Sequence, residues 1–132
     1  MIPSQMLKGT LEGCILGIIS KEATYGYEIS EQLMKYGFGK IAEGTIYPLL
    51  LRLEKNELVR ATYQASGVGP KRKYYELTAK GWDTLRDFCH CYWELSNAVT
   101  ALMRDVKGGT EDEQEDKPFA EGKQSAGEAT SK

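Results

Sequence analysis

The sequence predicts a mainly α (α+β) chain: three helices, a β-hairpin and one long closing helix. Three observations carry that prediction. In "EGTIYPLLLRLEKNELV", Glu43 to Val59, the residues Ile46, Leu49, Leu50 and Leu53 fall at i, i+3, i+4 and i+7, the apolar stripe of a helix that leans on a core. Two alternating, β-prone segments, Leu58–Gln64 and Lys71–Leu77, flank the turn-forming "ASGVGP" and read as a hairpin. From Trp82 onward, apolar residues recur in alternating steps of three and four, the heptad spacing of a helix that packs along its length.

Taken in order, the first helix is expected from Ser4 to Ile19, with Leu7, Leu11, Cys14, Ile15 and Ile18 on one side and Ser4 as its cap after Pro3. "SKEAT" (Ser20–Thr24) is a polar break, with Thr24 as the candidate cap of a second helix, Tyr25–Tyr36. That helix places Tyr25, Ile29, Leu33 and Tyr36 together, and Gly37 and Gly39 end it. The third helix is expected to begin near Gly44 or Thr45 and to end near Asn56. Pro48 is compatible with a helix only close to its first turn, where few N–H groups have intrahelical partners.

After the hairpin, Thr78 caps a helix expected over Ala79–Val106, 28 residues or roughly 40 Å. Its seam runs Trp82, Leu85, Cys89, Tyr92, Ser96, Val99, Met103, Val106, and Phe88, Leu95 and Leu102 widen it. The residues before it make too small a body to cover such a length. A second copy of the chain would cover it, so Trp82, Leu85, Cys89, Tyr92, Val99 and Met103 are read as a homodimer interface. The domain reading is therefore 1–78 as a body of three helices and a hairpin, 79–106 as a dimerisation helix and 107–132 as an acidic low-complexity tail. Residues 107–132 are rich in Gly, Glu, Lys and Ser with one aromatic, Phe119, a composition that reads as disordered.

Composition narrows the function classes. The 132 residues are 41% hydrophobic and 27% charged, and no apolar run approaches the roughly 18 residues of a membrane span. The N-terminus has no signal-peptide pattern, so a cytoplasmic location without membrane contact is expected. Net charge is −2, but residues 1–106 hold 13 Lys and Arg against 12 Asp and Glu, while 107–132 hold 4 against 7. The acidity belongs to the tail, and a near-neutral body can still carry a basic patch.

Catalytic chemistry finds no support: one histidine and no nucleophile–base spacing argue against an enzyme. "GVGPKRK" lacks the Ser/Thr and glycine pattern of a phosphate-binding loop. "CHC" (Cys89–Cys91) cannot close around one ion from a helix, where consecutive residues diverge by about 100°. No metal or cofactor is expected, and the three cysteines are read as free thiols.

Three helices followed by a hairpin form a winged helix-turn-helix, which lays its third helix in the DNA major groove. The residues suit that use. Thr45 offers a hydroxyl and a methyl, and Tyr47 a hydroxyl on a rigid arm. Gly44 admits close phosphate approach near a helix N-terminus. Arg52 and Lys55 reach for flanking phosphates. Lys71 and Lys73 project to one side of the wing and Arg72 to the other, a phosphate grip near a glycine-rich tip.

"LKGTLEGCILGIIS", "YGYEI", "GTIYPLLLRLEKNELV" and "RKYYELTAKG" together resemble the PadR family of bacterial transcriptional regulators, in order and interval, from Leu7 to about Met103. The resemblance is to the short branch, with a single C-terminal helix. It implies a homodimeric repressor on a palindromic operator. It also implies DNA contacts at Thr45, Tyr47, Lys71, Arg72 and Lys73, with Tyr25 at the backbone. Some short-branch members bind flat aromatic or drug-like molecules at the dimer interface, which implies a small aromatic ligand near Tyr92 and Trp93. Without the resemblance, both rings read as interface packing. The alternative is a winged-helix dimer that binds protein rather than DNA, for which neutralising Lys71–Lys73 would matter little.

Overall fold

The computed structural model describes residues 1–106. Its elements run α1 (Ser4–Leu7), α2 (Leu11–Lys21), β1 (Thr24–Tyr25), α3 (Gly26–Tyr36), α4 (Glu43–Lys55), β2 (Val59–Ser66), β3 (Gly69–Leu77) and α5 (Ala79–Arg104). This is a mainly helical winged-helix fold. The expected tail, 107–132, lies outside the described residues.

Two expectations need correction at the N-terminal side. The first helix is broken into α1 and α2 at Lys8–Thr10, where Gly9 takes φ +97°, a left-handed conformation that glycine tolerates and a helix cannot continue through. Ser4 is the first helical residue rather than a cap, and Pro3 flanks it. Nor does Thr24 cap the second helix. Thr24 and Tyr25 form a short strand, and Tyr25, in extended conformation, precedes α3. The Thr24 hydroxyl is buried without a hydrogen-bond partner among the described residues.

The expected hairpin thus becomes a three-stranded antiparallel sheet of order β1-β3-β2. Thr24 pairs with Tyr75 and Tyr25 with Tyr74, while β2 and β3 pair from Val59↔Leu77 outward to Ser66↔Gly69, with an irregularity between Gln64 and Ser66. The tip turns at Gly67, φ +82°.

The helix spacings do what they predict. Ile15 and Leu16 of α2, Ile29 and Leu33 of α3, and Ile46, Leu50 and Leu53 of α4 are almost wholly withdrawn from solvent. Each such side chain contributes about 1.5–3 kcal/mol of transfer free energy. Leu58, Val59, Tyr75 and Leu77 close the core from the base of the sheet. Gly37 adopts φ +103° and ends α3 as expected, its N–H bonded to the Met34 carbonyl at 3.0 Å. The buried Ser30 hydroxyl donates to the Ile41 carbonyl at 3.1 Å, which fixes the segment leading into α4.

Thr78 begins α5 as its sequence position predicts. Its Oγ1 accepts from the Gly81 N–H at 3.0 Å and donates to the Glu57 carbonyl at 2.6 Å. The Thr78 N–H in turn donates to the Leu58 carbonyl at 3.1 Å. Gly81 sits so close to that carbonyl that a Cβ there would collide with backbone, and it is the buried residue of α5.

The chain divides into two units, Met1–Tyr92 and Trp93–Lys132. In the first, α5 rests on α2: Phe88 lies against Gly13, and Leu85 approaches Gly17. Leu85, which the sequence assigns to a dimer seam, is half-buried here against the core of its own chain. In the second, Trp93, Leu95, Val99, Leu102, Met103 and Val106 are exposed. No helix among the described residues is long and apolar enough to cross a membrane.

Candidate nucleic-acid interface

Burying Ile46, Leu50 and Leu53 fixes which way α4 faces. Gly44, Thr45, Tyr47, Pro48, Leu51 and Arg52 are left on its outer surface. Pro48 stands six residues into the helix, deeper than the first turn, and α4 continues through it. Its missing N–H leaves the Gly44 carbonyl without its intrahelical donor. Gly44 itself is exposed, with open space where a side chain would be.

Tyr47 does not swing freely. Its ring lies on the first turn of α3, where a Cβ on Gly26 would come within 2.7 Å of the ring carbon Cε1 and 2.9 Å of the hydroxyl oxygen. The glycine inside "YGYEI" is therefore the seat of the tyrosine inside "GTIYP". Sequence spacing could not show this, although a glycine between two tyrosines at a helix start is the signal it leaves.

The predicted cations divide by environment. The Arg52 Nε bonds the Glu12 Oε2 at 2.6 Å, tying α4 to α2. The Lys73 Nζ bonds the Glu54 Oε1 at 3.0 Å, tying the wing to α4. The Glu54 hydrogen bond holds the Lys73 ammonium above the usual lysine range, with burial opposing it. The Arg72 guanidinium stacks over the Tyr25 ring at 4.5 Å, and Tyr25 meets Tyr74 with ring centroids 5.2 Å apart. So Tyr25, read from sequence as a helix residue near the backbone, is an edge-strand residue that carries a wing arginine. Lys71 is exposed and in no ion pair among the described residues.

Glu12, Gly26, Glu54 and Tyr74 were not read from the sequence as part of this surface. Each matters through a partner far along the chain. Burial pushes the Tyr75 phenol up from its ordinary value, while Lys73, 5.6 Å from its ring, works against that.

The seam residues sit on α5. Trp82, Cys89 and Tyr92 are exposed in the first unit, and Tyr92 stacks on Phe88 with centroids 6.3 Å apart. A cavity of about 770 Å³ opens elsewhere in that unit, between the N-terminal arm, the Phe38–Ala42 segment and Thr45, Leu49 and Arg52 of α4.

Comparison with known proteins follows the same lines. A family model described as the transcriptional regulator PadR-like family matches residues 15–87. The crystal structure of a PadR-like transcriptional regulator from Bacillus cereus is 52% identical, with a TM-score of 0.70, covering 77% of this chain and 99% of that one. An uncharacterised protein of Lysinibacillus sphaericus is 32% identical over 109 residues, 81% of this chain and all of its own. The structure of Bacillus subtilis PadR in complex with operator DNA is also similar, at 26% identity and a TM-score of 0.58, covering 62% of this chain and 46% of that one.

Proposed function

This chain belongs to the PadR-like family of transcriptional regulators, and from that premise we propose that it is a repressor that binds a palindromic operator as a homodimer. The observation that carries the proposal is the outer face of α4. A helix whose inner stripe is fully buried presents a hydroxyl at Thr45, an aromatic hydroxyl at Tyr47 and a cation at Arg52, with few other charges until its end. Hydroxyl and methyl groups on a groove-sized helix suit base edges, and cations beside them suit phosphates.

Around that face, Gly44 admits close backbone approach and Lys71, Arg72 and Lys73 line the wing. Tyr25 supports Arg72, whose guanidinium carbon lies 4.5 Å from the centre of its ring. The operator-bound PadR structure among the similar proteins supports the same use of the fold. The dimer half of the proposal rests on α5, whose Trp82, Cys89, Tyr92, Val99 and Met103 are exposed at heptad spacing. The exposed rings of Tyr92 and Trp93 each offer a flat surface to an aromatic effector that would relieve repression.

The test is a titration of the purified chain against a duplex spanning its own upstream region, beside a random duplex, at two salt concentrations. Tight, salt-sensitive, sequence-selective binding at two chains per site is expected. Absence of binding to either duplex at low salt would sink the proposal and favour a protein partner for the same surface.

A further inference from the structure

The outermost line of α4 lacks the charges of a solvated helix face over its first two turns. At about 100° per residue, the line directly opposite the buried stripe Ile46, Leu50 and Leu53 runs through Gly44, Pro48, Leu51 and Lys55, all exposed. Up to Leu51 it carries no charge and no side-chain hydrogen-bonding group. The polar groups stand to either side, each pair seven residues apart: Thr45 and Arg52 on one flank, Tyr47 and Glu54 on the other. Resting on the DNA-binding reading of α4, we propose that Leu51 is a specificity-determining residue that reads the C5-methyl group of a thymine in the operator.

Three features converge on Leu51. It is 59% exposed and belongs neither to the core nor to the residues packed against it, so the fold gives its side chain no internal task. Its neighbours along the line are low. Gly44 has no side chain, with open space where one would be, and the Pro48 ring is closed back onto its own backbone. The flanking polar groups, in contrast, are held by partners within the chain. Tyr47 sits on Gly26, Arg52 bonds Glu12 at 2.6 Å, and Glu54 bonds Lys73 at 3.0 Å. Between them, Leu51 is the apolar group that stands highest on the ridge.

The chemistry of the major groove then selects its target. Base edges there offer donors and acceptors, and one apolar group, the thymine methyl. A leucine can neither donate nor accept, so over any other edge it would desolvate polar atoms and return no hydrogen bond. Over thymine it buries a methyl group against its own. A protein groove fits this ridge less well, because helix-in-groove docking uses several large apolar anchors at i, i+3, i+4 and i+7. On this line Leu51 stands between a proline ring and the charge of Lys55.

The test begins by selecting duplexes that bind the full chain from a random pool. Each thymine of the selected site is then replaced in turn by deoxyuridine, which removes the methyl group and nothing else. At one thymine per half-site, deoxyuridine should weaken binding about fourfold in fluorescence anisotropy, the effect of exposing one buried methyl group. Leu51→Ala should bind the thymine and deoxyuridine duplexes alike, and its melting temperature should move little because the side chain is exposed. In Thr45→Ser, which loses a methyl group and keeps its hydroxyl, the deoxyuridine penalty should persist. A selected site at which no deoxyuridine weakens binding, or a penalty that survives in Leu51→Ala, would overturn the proposal and leave the DNA-binding reading standing. Failure to select any duplex would sink both.

Discussion

The helices α4 and α5 are both amphipathic, yet the chain treats them in opposite ways. The stripe of α4 is used up internally, with Ile46, Leu50 and Leu53 shut away from solvent, and what remains outside is hydroxyl, ring and cation. In α5 the apolar positions beyond Tyr92 stay uncovered, Leu95 and Leu102 at 56% and 62% exposure. A helix that has spent its apolar face on its own core is free to address a polar partner with the other. One that keeps its apolar face outside needs a like surface to cover it. The contrast therefore separates the two activities of the proposed regulator, reading and pairing, onto two helices.

The largest effect that would sharpen this contrast is truncation of the α4 stripe. Leu50→Ala should destabilise the chain by about 2–5 kcal/mol in chemical denaturation, because the cavity opens at a site without solvent access. The matching change on α5, Leu102→Ala, should alter the stability of the dilute chain by less than about 0.5 kcal/mol. It should instead weaken self-association about tenfold or more in analytical ultracentrifugation. Equal costs for the two changes would break the comparison.

Gly26→Ala comes next. Its methyl group displaces the Tyr47 ring, so operator affinity should fall about 10–100-fold in fluorescence anisotropy while the melting temperature moves little. Lys71→Ala should weaken binding to every duplex alike and lower the slope of log K against log salt by about 1.

The smallest effect is expected from Glu54→Gln, which removes a half-exposed ion pair at a cost of less than about 1 kcal/mol. Because Lys73 is then released and a negative charge lost, non-specific DNA binding should strengthen. The pair's own contribution has a definite pH sense. With the folded-state Lys73 value raised, it is present at neutral pH and fades only as pH climbs through that raised value, beyond the usual lysine range.

Periodicity exposes what is local. The stripe Ile46–Leu53, the glycine stop at Gly37 and the cap at Thr78 were all readable because each signal lies within a turn or two of its effect. The two-residue strand Thr24–Tyr25 was not, since its partners Tyr74 and Tyr75 lie some 50 residues away and two residues carry no alternation. The break at Gly9 left a signal, a glycine, that the apolar spacing of Leu7 and Leu11 outweighed. At the candidate interface, the side chains of α4 and the wing could be named from their chemistry. Their restraints could not be: the seat of Tyr47 on Gly26, the pairing of Lys73 with Glu54 and the stacking of Arg72 on Tyr25 are all made by the fold.

The joint at the start of α5 has a mechanical meaning. Thr78 bonds the carbonyls of both Glu57 and Leu58, and Gly81 is pressed against the second of these without room for a methyl group. Those two residues follow α4 and its capping Asn56, with Glu57 at φ +63° turning the chain out of the helix. The first turn of α5 is thus fastened by two hydrogen bonds and one close backbone contact to the segment that leads out of α4.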